Sequence, residues 1–169
     1  MEPGDRARPR WRLFAGRGSL AFYSILAWNF ALIPSVLLVL AANALFAHAG
    51  ADVSALQKPA TDITQRNPLI AVVVAPLVET ALLAAVIELL RRLTANVWIV
   101  AVVTGLAWGA AHAVFHPLWF FGTAWSFFVF ARGYLAWRPV SYKHAFGAAA
   151  LPHALVNASA LLMQFIARS

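Results

Sequence analysis

The chain has no cysteine, which excludes disulfides and thiolate chemistry and leaves the redox compartment without a marker. Charge is also scarce. Asp, Glu, Lys and Arg make up 11% of the residues, where a soluble domain carries about a quarter. There are no low-complexity tracts, no internal repeats and no linker long enough to divide domains. The apolar runs lack the period-two alternation of a membrane barrel. The remaining way to satisfy every backbone group in lipid is the helix. At 62% hydrophobic residues, the composition is that of an integral membrane protein. The net charge of +7 would suit a nucleic acid, but the basic residues sit in loops beside apolar runs. That placement fits lipid headgroups and points to no nucleic-acid partner.

Residues 1–18 form a polar, basic arm with Arg6, Arg8, Arg10, Arg12 and Arg17. Residues 19–169 read as one transmembrane domain. A first run covers Ser19 to Ala47, with Trp28 near its middle and Pro34 as a possible kink. Ala47-His48-Ala49 looks like a cleavage site, but the run is about twice as long as a signal-peptide core. A mixed loop, Gly50 to Asn67, leads to a second run, Pro68 to Leu90, closed by Arg91-Arg92. The third spans Asn96 to Ala113 and ends at His116-Pro117. The fourth, Leu118 to Trp137, is aromatic and carries Gly122 and Gly133, where backbones could approach closely. The fifth runs from Ala145 to Ile166 through Pro152 and His153. The expectation is an all-α polytopic bundle of about five spans with a polar cavity between helices. Arg91, Arg92, Arg138 and Lys143 fall on the side of the arm, while Lys58, Arg66 and Arg168 fall on the other. The positive-inside rule then puts the N-terminus in the cytoplasm and the C-terminus outside.

Glu79 stands in the middle of the second run without a charged neighbour within a helical turn. A carboxylate at that depth costs roughly 3 kcal/mol on insertion scales, so it normally faces a polar interior and has a function. Other runs supply companions. Trp108 and His112, His112 and His116, and His153 and Asn157 are each four apart, so each pair shares a helix face. A lone histidine in a membrane helix is often only an interhelical hydrogen-bond partner. Buried ionisable groups on three helices are cheaper as one shared cluster than apart. One glutamate, two or three histidines and an asparagine also supply a base, an acid and hydrogen-bond donors.

In order and placement, Glu79, then Trp108-x-x-x-His112, then His153-Ala-Leu-Val-Asn157 resembles the CAAX-protease and bacteriocin-processing (CPBP, or Abi) family of intramembrane endopeptidases. Glu79 matches the first acid of that family's Glu-Glu-x-x-x-Arg motif, and tryptophan replaces phenylalanine in its Phe-x-x-x-His motif. The second acid position is Thr80 and the arginine position is Ala84. The likeness covers residues 79–157. It implies a helical bundle with a chamber opening to the cytoplasmic side, acting on membrane-associated peptides or proteins. Glu79 and His112 would activate a water, while His153 and Asn157 would hold it or stabilise the oxyanion. That mechanism needs no cofactor.

Two other classes compete. His112-x-x-x-His116 has the spacing of a zinc pair that Glu79 or His153 could complete, although the base-bearing Glu of H-E-x-x-H is missing. A catalytically degenerate scaffold or immunity protein would keep the fold without the chemistry. Plainer expectations attach elsewhere. Glu88 pairs with Arg91 or Arg92, and Arg132 snorkels to the interface or replaces the charge missing at Ala84. His48 and His144 are solvated; Trp119, Trp125 and Trp137 form a belt or pack.

Overall fold

Ser19, Asn67 and Asn96 stand where three helices begin, and each side chain takes up backbone N–H groups that the first turn leaves over. Ser19 accepts from Phe22 at 3.1 Å. Asn67 accepts from Leu69 and Ile70 at 3.0 and 3.4 Å, and Asn96 from Trp98 and Ile99 at 2.9 and 3.3 Å. The computed structural model describes residues 19–53 and 67–166; the expected basic arm, most of the mixed loop and Arg168 lie outside them. Helix α1 is Leu20–His48, unbroken through Pro34. Helix α2 opens with a π-helical stretch, Ile70–Val74, and continues as Ala75–Leu93. Helices α3, α4 and α5 are Val97–Ala113, Trp119–Trp137 and Tyr142–Ile166. There is no strand among the described residues, as apolar runs without alternation require.

The helices run alternately up and down, joined by short turns after α2, α3 and α4. Leu20 packs over Gly147 and Tyr23 against Trp137, so the start of α1 shares one end with the α4–α5 turn. Phe46 meets Phe121 at the other end. Helix α4 is the hub, packed on α3, α1 and α5 and touching α2. Its buried residues, from Gly122 to Trp137, cover most of its circumference. The closest approach is made by α3. A Cβ on Gly105 would lie 2.6 Å from the Ala124 carbonyl oxygen, and one on Gly109 would lie 2.9 Å from that of Phe120. This is a Gly-x-x-x-Gly crossing, which lets two backbones touch where a side chain would hold them apart.

The outward surface is apolar. Along α1, Phe22, Phe30, Ile33 and Leu37 are each more than half exposed, as expected of residues solvated by lipid chains. Three helices, α1, α2 and α5, are long and apolar enough to cross a membrane; α3 is apolar but has 17 residues. The expected five spans are therefore five helices of which three meet the length and apolarity of a crossing. The physical reason lies in α4. Its neighbours shield it from lipid, so it accommodates Ser126, Arg132 and two glycines without an unbroken apolar surface.

Candidate active site

Helix α2 buries a stripe of Pro76, Thr80, Leu83, Ala84 and Ile87 against the bundle. Glu79 sits on the shoulder of that stripe, its side chain 28% exposed. From this position it meets two imidazoles. His112 Nε2 on α3 lies 3.9 Å from Glu79 Oε2, and His153 Nε2 on α5 lies 3.7 Å from the same oxygen. Glu79 is 13 residues before Arg92 and His112 is 16 after Asn96, about 20 and 24 Å along their helices. Counted from the shared turn, the mismatch is only about 4 Å, which side chains and tilt absorb.

Both rings are held from behind. The Trp108 carbonyl, one turn back on α3, is 2.9 Å from His112 Nδ1. A carbonyl only accepts, so Nδ1 carries the proton and a neutral ring turns the lone pair of Nε2 toward Glu79. His153 is almost fully buried, stacked on Phe130 at 4.9 Å and met by the edge of Phe127 at 5.0 Å. Phe127 is the common wall, since it also stacks with Trp108 and contacts the His112 ring. His153 Nδ1 has no hydrogen-bond partner among the described residues. An orphaned N–H is a poorer state than an orphaned lone pair at a buried atom, which favours the proton on Nε2, facing Glu79. The carboxylate thus faces one imidazole acceptor and one imidazole donor. Separations of 3.7–3.9 Å exceed a direct hydrogen bond and suit one bridging water.

Asn157 is one turn beyond His153 and bonds to the backbone of α2. Its Nδ2 donates to the carbonyl of Ala71 at 2.9 Å. In the π register of this segment, shown by Ala75 N–H bonding to Ile70 O, the Ala71 carbonyl would be served by residue 76. That residue is Pro76, which has no N–H. The amide of Asn157 supplies the missing donor from the neighbouring helix, as membrane bundles require wherever proline opens a helix. The structure therefore brings Glu79, His112 and His153 together and engages Asn157 with the α2 backbone.

The His116 ring is stacked on Trp119 at 5.1 Å, and burial holds it below the usual histidine pKa. Among the described residues no group of three or more His, Asp or Glu is arranged to hold a metal ion. Thr80 and Ala84 are fully buried, so the positions where the resembled family carries its second acid and arginine are packing positions here. Arg132 does not fill that place. It lies over the Trp98 ring, 3.9 Å from its centroid, a cation–π contact at the start of α3. Glu88 does pair with Arg91 at 3.4 Å, but its closer partners are Arg138 at 2.6 Å and Tyr134 at 2.9 Å. Ser141 caps α5, its Oγ accepting the His144 N–H at 3.1 Å, the His144 ring stacks on the buried Trp137, and Trp125 donates to the Phe30 carbonyl. Phe127, the π segment and the Gly105/Gly109 crossing escaped the sequence reading. Gly-x-x-x-Gly was legible there, and Pro76 was the one hint of the π segment.

Compared with protein-family models, curated proteins and solved structures, the chain matches none.

Proposed function

We propose that this membrane protein is an intramembrane endopeptidase of the CAAX-protease and bacteriocin-processing type, acting on membrane-associated peptides by water activation. The observation that carries the reading is the meeting of His112 Nε2 and His153 Nε2 on one oxygen of Glu79, from three helices of an apolar bundle. A water bridging Glu79 and His112 gives up a proton to that pair as its oxygen attacks the scissile carbonyl carbon. The N–H of His153 donates to the oxyanion that forms. Collapse of the tetrahedral intermediate breaks the C–N bond, and the leaving amine takes the proton back. Asn157 acts in this scheme as a positioning residue that fixes α2 against α5, not as a group touching substrate. The bias of Arg91, Arg92, Arg138 and Lys143 toward one end orients that end to the cytoplasm, with the C-terminus outside.

A second reading has its own support. Full burial of Thr80 and Ala84 removes two charged positions of the resembled motif, which favours a scaffold or immunity protein that keeps the bundle and has lost the reaction. Purified protein in lipid nanodiscs, incubated with a quenched membrane-peptide library and assayed for bound metal, separates the readings. Cleavage by metal-free protein supports the peptidase. Cleavage lost to a chelator moves the assignment to a metal enzyme, and no cleavage of any peptide favours the scaffold.

A further inference from the structure

Nine residues after Glu79, and half a helical rotation away from it, α2 reaches a second polar site. Here Glu88, Arg91, Arg92, Arg138 and Pro139 line an open-sided cavity of about 660 Å³ where the C-terminal ends of α2 and α4 come together. Three guanidiniums face a single carboxylate, leaving a charge of +2. Glu88 is committed. Its Oε1 accepts Arg138 Nε at 2.6 Å and Tyr134 at 2.9 Å, and its Oε2 lies 3.4 Å from Arg91 Nη1. The bonds to Glu88 use one nitrogen of Arg138 and one of Arg91. Arg138 also makes a hydrogen bond with the Tyr134 hydroxyl, while the remaining N–H groups of Arg91 and all five of Arg92 have no hydrogen-bond partner among the described residues. The carboxylate thus holds Arg138 in place without neutralising the cavity. Both helices end at this level, which is where lipid phosphates lie, and forked guanidiniums match phosphate oxygens in pairs.

We propose that this cavity binds a dianionic phosphate group, carried by the headgroup of a membrane lipid. The charge selects the class. A phosphate monoester carries about −1.5 to −2 near neutral pH and balances the cavity, whereas a single phosphodiester leaves it half compensated. The site is independent of the Glu79 chemistry and stands whether or not the protein cleaves peptides.

The test uses the full chain in phosphatidylcholine nanodiscs containing phosphatidic acid, or phosphatidylglycerol matched for total charge. Lipid retention is read by native mass spectrometry and stability by thermal unfolding. Phosphatidic acid is retained preferentially and raises the unfolding midpoint of the native chain. Arg92→Gln, at an exposed side chain whose loss does not threaten folding, weakens that retention roughly 5- to 10-fold. Lys143→Gln, at the same end but outside the cavity, leaves it unchanged. Equal retention of phosphatidylglycerol, indifference to Arg92→Gln, or an equal loss with Lys143→Gln overturns the proposal. Inorganic phosphate alone raising the midpoint as far as the lipid assigns the cavity to the free anion and overturns the lipid source.

Discussion

Asn157→Ala separates two accounts of that residue, and its effect should depend on what stands at position 76. Removing the amide leaves the Ala71 carbonyl without the donor that now lies 2.9 Å away. An unsatisfied buried polar group costs roughly 1–3 kcal/mol in soluble proteins, while interhelical hydrogen bonds in membrane bundles average about 0.6 and reach about 1.7. A loss of about 1 kcal/mol is therefore expected. Pro76→Ala returns an N–H to α2 in register with the same carbonyl, so in that background Asn157→Ala should cost less than half as much. Reversible unfolding of the four proteins in mixed micelles gives the coupling directly as a double-mutant cycle. The same four proteins assayed for peptide cleavage extend the argument: activity lost in Asn157→Ala should return in part in the double variant. An equal stability loss in both backgrounds refutes the carbonyl-capping role. Activity that stays absent when stability is restored puts Asn157 in contact with substrate.

His112→Ala should abolish cleavage while leaving the chain folded and inserted, because the ring is partly exposed and its removal opens no sealed cavity; circular dichroism and a turnover assay check both halves. Gly109→Ala forces a Cβ against the Ala124 side chain and the Phe120 carbonyl, and should destabilise the α3–α4 pair by roughly 1–3 kcal/mol, read in the same micelle unfolding assay. Ala84→Arg, which restores the resembled family's arginine, should lower the yield of folded protein instead of raising activity, since the position is 2% exposed and has no room for a guanidinium. Cysteines introduced at Ser19 and Ser141 should react with an impermeant thiol reagent only from the cytoplasmic side and one at Ser54 only from outside, the reverse pattern inverting the orientation.

How much of this was legible follows from which forces leave a local trace. Burial cost is written residue by residue, so an isolated glutamate and two histidines in separate apolar runs already demanded a common cluster. Depth was harder. Whether His112 reaches the level of Glu79 depends on where α3 starts, and that is at its Asn96 cap and not at the arginines. The partner of Asn157 was hidden because a π register leaves no periodic signature; only the proline five residues after Ala71 records it. Long side chains leave an incomplete trace for another reason. Arg132, Arg138 and Glu88 reach far enough that their partners depend on helix rotation, which hydropathy does not encode. Rotation is also what turned the Thr80 and Ala84 positions into core, on the α2 face that meets the bundle.

The most direct test of the central claim is the rate of Glu79→Gln against the native chain on one peptide cut from the quenched library. Glutamine keeps the size and hydrogen bonds of the side chain and removes its basic oxygen, so the bundle should stay folded and cleavage should fall to background. A comparable rate in Glu79→Gln contradicts water activation by Glu79 and His112.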